Sequence, residues 1–389
     1  MGDRMSTVVH SVRVVDEGRI LDDGWVRFEG GRIASTGTGS SWRDAPDAAA
    51  VVDGAAQAGE GALLAPGFID LHGHGGGGFS YDDGPDAIRA ARALHRAHGT
   101  TRAVISLVTA PLDALEQKVA EIADLAATDD DILGSHLEGP FLDPGHKGAH
   151  DPTLLRAPDP RSVERLLQAG RGTIRQVTLA PELPGGLDAI RAVVAAGAAA
   201  AVGHTASDAA GARAAFDAGA TILTHAFNAM PPLHHREPGP VGAAASDDRV
   251  VLEIIADGVH LDPAVVRLAF AAAPGRIALV TDAMAAAGAA DGVYQLGPLS
   301  VEVVDGTARL AGGGAIAGST LTQDAALRGT VASGVAVADA IAALTRVPAR
   351  AIGHSEDLGG LAPGMLADAV LLSAGLEVRA VWVGGALAP

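Results

Sequence analysis

The segment Gly134-Ser-His-Leu-Glu-Gly-Pro-Phe-Leu-Asp-Pro-Gly-His-Lys-Gly-Ala-His150 sets the architecture for the rest of the chain. Ile132 to Leu137 reads as a short apolar strand that delivers Glu138 onto a turn bounded by glycine and proline. The loop beyond it carries two imidazoles, His146 and His150. Parallel α/β folds place their chemistry on carboxylates at strand ends followed by rigid turns. Capping of the next helix is the plain alternative for one such carboxylate. The same ending recurs on four other predicted strands, which favours a site.

Working outward, near-continuous apolar runs occur at Leu63 to Leu71, Thr101 to Val108, Ile132 to Leu137, Ile174 to Leu179, Ala198 to Gly203, Thr221 to Leu223, Val250 to Ile255 and Ile277 to Thr281. Strands covered on both faces have this composition. Helical stretches fall between them, among them Pro85 to His98, Leu112 to Ala126, Ser162 to Ala169, Leu187 to Ala196, Ser207 to Ala218 and Pro263 to Ala273. Eight strands with intervening helices match an α/β fold of the (β/α)8 TIM-barrel type. A doubly wound open sheet is the runner-up, but it needs fewer strands and a glycine-rich first turn near the N-terminus. The two ends of the chain differ from the middle: Val8 to Ala34 and Ala369 to Gly385 are rich in short strands, and Gly30-Gly31 signals a hairpin. We therefore expect a small β-sandwich built from both termini, residues 1–62 with 352–389, beside a barrel spanning 63–351.

With 389 residues, 48% of them apolar, the chain is long for one compact domain unless that domain is a barrel. A formal net charge of −18 argues against nucleic-acid or anionic-membrane partners, which require clustered Lys and Arg. The absence of cysteine removes disulfides, thiolate metal sites and a Cys nucleophile, so any metal must sit on His, Asp and Glu. Neither a signal-type apolar run after Met1 nor a membrane-length helix is present, and a soluble cytoplasmic protein is expected.

The strand ends carry the candidate chemistry. Pro66-Gly-Phe-Ile-Asp-Leu-His-Gly-His74 places His72 and His74 two residues apart, on one side of an extended segment, where both imidazoles can reach one ion. Glu138 follows strand three, His204 strand five, His225 strand six and Asp282 strand eight. Each falls at the carboxyl rim, where barrel active sites form. This ligand set suits Zn²⁺, Fe²⁺ or Mn²⁺ better than Ca²⁺. Met230 to Ser246, with His234, His235, Arg236 and Glu237, reads as a functional or disordered loop. Gly288 to Gly318 reads as a hairpin excursion ending in a glycine cluster that permits close backbone approach.

Taken together, Pro66-Gly-Phe-Ile-Asp-Leu-His-Gly-His74, His136-Leu-Glu-Gly-Pro-Phe141, Gly203-His-Thr205, Thr224-His-Ala-Phe-Asn-Ala-Met230, Arg236-Glu-Pro-Gly239, Ala256-Asp-Gly-Val-His260 and Leu279-Val-Thr-Asp-Ala283 resemble the N-acetylglucosamine-6-phosphate deacetylases of the amidohydrolase superfamily. The resemblance runs from about Val14 to Gly384. It implies the barrel with its terminal sandwich, and a divalent metal, one or two per subunit, with Zn²⁺ favoured over Fe²⁺, Mn²⁺ or Co²⁺. By the same resemblance Glu138, His204 and His225 are ligands of the principal site, His72 and His74 belong to a second one, and Glu138 bridges if two ions bind. A bridging modified lysine is disfavoured because neither lysine, Lys118 nor Lys147, lies near the end of strand four.

The resemblance further implies removal of acetate from N-acetyl-D-glucosamine 6-phosphate, in amino-sugar catabolism and cell-wall recycling. Asp282 would take the proton of water and pass it to the leaving nitrogen, and His150 would face the carbonyl oxygen. Ala149, Asn228 and Ala229 fall at sugar-binding positions, Arg236 and His260 at phosphate-binding ones. In related enzymes the arginine loop reaches the neighbouring subunit's site, which implies a homodimer. The alternatives are another metal-dependent amidohydrolase acting on a cyclic amide or related C–N bond, and a barrel that serves as a non-catalytic scaffold.

Overall fold

The computed structural model describes residues 6–44, 48–312 and 314–389. Met1 to Met5 and Gly313 of the glycine cluster lie outside the described residues. Eight parallel strands form one sheet in sequential order: β1 Phe68–Asp70, β2 Thr100–Val108, β3 Ile132–Glu138, β4 Ile174–Leu179, β5 Ala199–Val202, β6 Ile222–Leu223, β7 Val251–Ile254 and β8 Ile277–Leu279. Every residue of β2 and β3 is buried, as strands sandwiched between a barrel interior and a helical shell must be. Helices return the chain between strands, and several start on the expected chemistry. Asp159 and Asp208 cap the helices Pro160–Ala169 and Ala209–Asp217, and Asp262, followed by Pro263, caps Pro263–Ala272.

The barrel does not close by strand pairing alone. Between β8 and β1 the seam is made just beyond the strands, where Asp282 N donates to His72 O at 2.8 Å and His74 N to Ala283 O at 2.7 Å. The buried Asp70 carboxylate adds the remaining link, accepting from Thr281 Oγ1 at 2.6 Å and Thr281 N at 3.2 Å. The seam therefore joins the two segments that carry His72, His74 and Asp282.

The run Leu63 to Leu71, expected as one strand, is divided. Leu63–Pro66 pairs antiparallel with Ala369–Leu372 in the terminal sheet, and only Phe68–Asp70 enters the barrel, which therefore begins at residue 68 rather than 63. Both pieces are buried throughout, so apolarity could not separate them. The terminal unit is a single forked sheet of eight strands: Ser6–Asp16 pairs along its length with Arg19–Glu29, and on its other edge first with Ala50–Asp53 and then with Leu63–Pro66. Its own core includes Val9, Val26, Phe28, Leu64, Leu371 and Trp382. A buried ion pair locks it to the barrel, with Arg102 on β2 gripping both carboxylate oxygens of Asp368 at 2.5 and 3.0 Å.

Two interruptions take definite form. The excursion after β8 is a three-stranded antiparallel meander, Gly292–Leu296, Leu299–Val304 and Thr307–Leu310. The loop after β6 contains the short helix Gly239–Ala245, and Leu233 to Glu237 stay exposed.

Candidate active site

Six side chains from five strand ends meet at the carboxyl mouth of the barrel. Glu138 Oε1 lies 3.2 Å from both His204 Nε2 and His225 Nε2, which are themselves 3.0 Å apart. On the other side, His72 Nε2 and His74 Nε2 stand 3.1 Å apart, and Asp282 Oδ1 is 3.5 and 3.3 Å from them. Glu138 faces both groups, with Oε1 3.3 Å from His72 Nε2 and Oε2 3.1 Å from His74 Nε2. All six are buried.

Local backbone geometry turns these side chains over the mouth. His204, His225 and Asp282 adopt φ of 45°, 29° and 47°, and Phe227 and Ala229 adopt 79° and 51°. Non-glycine residues in the left-handed region carry strain, which folds tolerate chiefly where function needs an unusual direction. Glu182 at the end of β4 supports one such turn, accepting from Thr205 Oγ1, Ala206 N and Ser207 Oγ at 2.6, 2.5 and 2.9 Å. Gly148, with φ of 53°, lets the loop after β3 pass over His204; a Cβ there would sit 3.0 Å from His204 Cε1. The meander returns in the same way at Gly318, where a Cβ would meet the Asp282 carbonyl at 2.9 Å.

The donor set fits a metal. His204 Nδ1 faces the His146 carbonyl at 2.8 Å. A carbonyl only accepts, so Nδ1 carries a proton, and the neutral ring would offer its Nε2 lone pair beside the Glu138 carboxylate. Converging lone pairs repel unless a cation lies among them. Ligand atoms bonded at about 2.0–2.1 Å around one tetrahedral ion stand about 3.3 Å apart, close to the 3.0–3.2 Å within the Glu138–His204–His225 group. The protonation equilibria express the same demand. Burial would raise the Glu138 pKa, but the imidazoles around it, His72 foremost, hold it well below the carboxylate range. Asp282 is likewise lowered to about 2, against burial, by His72 and His74. His74 is pushed up to about 9, again against burial, by Asp282 and Glu138. A divalent ion would supply the positive charge that these carboxylates draw from protons.

The mouth opens into a cavity of about 380 Å³, within the range of small-molecule sites. His150, Ala149, Asn228, Ala229 and His260 line it beside the ligands. The His150 ring packs edge-on against His204 with centroids 4.7 Å apart. Burial lowers its pKa to about 4, so it is neutral at pH 7. Thr109 Oγ1 stands 2.9 Å from His150 Nδ1. The hydroxyl also faces the Glu138 carbonyl at 3.3 Å; when it gives its one proton to Nδ1 rather than to that carbonyl, Nε2–H becomes a donor. His260 Nδ1 bonds Asp257 Oδ2 at 2.7 Å. Against the effect of burial, Asp257 holds the His260 pKa above its ordinary value.

A model of the amidohydrolase family matches residues 63–388. The chain belongs to the amidohydrolase family. Among curated relatives of this amidohydrolase, the N-acetylgalactosamine-6-phosphate deacetylase of Escherichia coli O157:H7 is 40% identical over 99% of the chain and 100% of the relative. The N-acetylglucosamine-6-phosphate deacetylase of Bos taurus is 37% identical over 84% of the chain and 83% of the relative. A mutant N-acetyl-D-glucosamine-6-phosphate deacetylase from Mycobacterium smegmatis, solved in complex with N-acetyl-D-glucosamine-6-phosphate, superposes with a TM-score of 0.91 at 43% identity, covering 100% of both chains.

Of the residues singled out from the amidohydrolase sequence, one stands apart. Arg236 is exposed, its Nη1 2.8 Å from His235 Nε2, and it does not line the cavity of its own chain. Sequence reasoning also missed the residues behind the ligands: Thr109, the Asp70–Thr281 pair, and Glu253 on β7. A threonine closing a buried strand and a lone acid within an apolar run were the available signals.

Proposed function

We propose that this amidohydrolase removes the acetyl group of N-acetyl-D-glucosamine 6-phosphate, giving D-glucosamine 6-phosphate and acetate. The observation that carries this reading is the pair of candidate ligand groups, Glu138–His204–His225 and His72–His74–Asp282, with Glu138 facing both, opening on a cavity that also presents His260. Glu138, His204 and His225 would hold one divalent ion, and His72, His74 and Asp282 would hold a second; Zn²⁺ suits the nitrogen-rich set. Such an ion supplies Lewis acidity and makes water acidic near neutral pH.

The side chains do the rest. Asp282, ionised, takes a proton as the water oxygen adds to the amide carbon, then gives it to the sugar nitrogen as the C–N bond breaks. Neutral His150 donates from Nε2 to the carbonyl oxygen as negative charge builds there. Asn228 and the backbone at Ala149 and Ala229 orient the sugar. His260, its pKa raised by Asp257, meets the phosphate. Arg236, exposed and outside its own cavity, completes the phosphate site of a neighbouring copy in a homodimer.

Acetate release from the phosphosugar tests the reading. Turnover of N-acetyl-D-glucosamine 6-phosphate well above that of unphosphorylated N-acetylglucosamine is expected. Equal rates on both would overturn the phosphate assignment. The similarity to the E. coli N-acetylgalactosamine-6-phosphate deacetylase makes the galacto isomer the second reading, and faster turnover of that isomer would replace the first. Arg236→Ala should raise KM for the phosphorylated substrate about 10- to 100-fold, the worth of one hydrogen bond to a charged group.

A further inference from the structure

Behind the His72 ring stands a carboxylate that the chemistry above does not use. Glu253 on β7 points into the barrel interior and is fully buried, as is Gln176 on β4. Gln176 Nε2 donates to Glu253 Oε1 at 2.9 Å. The other oxygen, Oε2, lies 3.5 Å from His72 Nδ1. Neither Oε2 nor Nδ1 has a hydrogen-bond partner among the described residues, though both are sealed from solvent.

A buried charge without a partner is strongly destabilising, so the pairing of Glu253 with an N–H is demanded by its burial. An imidazole that gives its Nδ1–H to a carboxylate keeps the lone pair on Nε2, and its orientation and basicity are set by that second contact. His72 Nε2 is the atom that faces His74, Glu138 and Asp282 at 3.1, 3.3 and 3.5 Å. His204 takes its orientation from a backbone carbonyl instead; the buried Nδ1 atoms of His74 and His225, like that of His72, have no hydrogen-bond partner among the described residues, and it is His72 Nδ1 that has a carboxylate oxygen 3.5 Å away.

We propose that Glu253, steadied by Gln176, is the positioning residue that fixes His72 as a metal ligand and so lets the His72–His74–Asp282 group hold its own divalent ion. The inference rests on the deacetylase reading only in taking that group as a ligand set. It makes the second ion depend on one residue outside the coordination sphere.

Metal titration of the full-length apoprotein, wild type against Glu253→Gln, tests this. Mn²⁺ is the probe, read by competition with a chelating dye and by electron paramagnetic resonance. Wild type should take up two ions and show a spin-coupled pair. Glu253→Gln should bind the second ion about 10- to 100-fold more weakly, the usual effect of removing such a partner. It should show the signal of a single isolated ion and keep the first ion's affinity. Two ions at unchanged affinity in the variant, or one ion in wild type at saturating Mn²⁺, would overturn the proposal. Circular dichroism reports whether the variant folds; if it does not, Gln176→Leu, which leaves the carboxylate in place, should weaken the second ion in the same direction. Acetate release by the same wild-type preparation separates the two readings. Its absence alongside the paired-ion signal would sink the deacetylase reading and leave the Glu253 assignment standing.

Discussion

The two ligand groups at the barrel mouth are built by different means. Glu138 ends β3, and His204 and His225 follow β5 and β6, strands of the continuous part of the parallel sheet; His204 is oriented by the main-chain carbonyl of His146. His72, His74 and Asp282 stand at the seam between β1 and β8, where side chains reinforce a few main-chain bonds: Asp70 with Thr281 ties the two segments, and Glu253 backs His72. A carbonyl is present whatever residue supplies it. A carboxylate is lost by one substitution. The first group should therefore survive sequence change more readily than the second, and the two should fail in distinguishable ways.

Four substitutions probe this contrast. Glu138→Gln strikes both groups at once and should abolish acetate release with loss of bound metal, as measured by elemental analysis; retention of metal would mean that Glu138 is not shared. Asp282→Asn should lower kcat about 10²- to 10⁴-fold, the usual worth of a positioned acid–base, with the ion of the Glu138 group retained. Near-normal turnover would remove Asp282 from the proton-transfer role. Thr109→Val should lower kcat about tenfold with KM little changed, because His150 loses the hydroxyl bonded to its Nδ1; one hydrogen bond is taken at about 1.4 kcal/mol.

The mildest effect concerns the seam. Burial pushes the Asp70 pKa up to about 6 from 3.8, partly offset by its bonds to Thr281. The folded protein then holds a proton that the unfolded chain has released between about pH 4 and 6. Asp70 therefore makes stability fall as pH rises through that window. Thermal unfolding across pH 4 to 6.5 should show stability rising more, or falling less, with pH for Asp70→Asn than for wild type. Identical slopes would place the proton elsewhere.

How much of this was legible in the sequence follows from where each signal sits. Strand ends are readable because an apolar run stops and a His, Glu or Asp follows, as at Val202-Gly-His204 and Leu223-Thr-His225. What supports them is not, because it comes from elsewhere in the chain. Asp70 and Thr281 are 211 residues apart, and Arg102 and Asp368 are 266 apart. Glu253 lies inside the apolar run Val250 to Ile255, where a lone acid looks like a surface residue until the barrel register turns it inward. The division of Leu63 to Leu71 between two sheets was hidden for a related reason: both sheets bury their strands, and apolarity does not say which one takes them. Arg236 was identifiable as a cation in a loop, but its distance from its own cavity appears only in three dimensions.

In the proposed reaction, strand-end imidazoles and acids bind an ion without which the amide is not cut. Stepwise return of Zn²⁺ to the chelated apoprotein, with acetate release from N-acetyl-D-glucosamine 6-phosphate measured at each addition, tests it most directly. No turnover is expected in the apoprotein, and the rate should climb in proportion to metal bound. Full turnover in protein stripped of metal would contradict it.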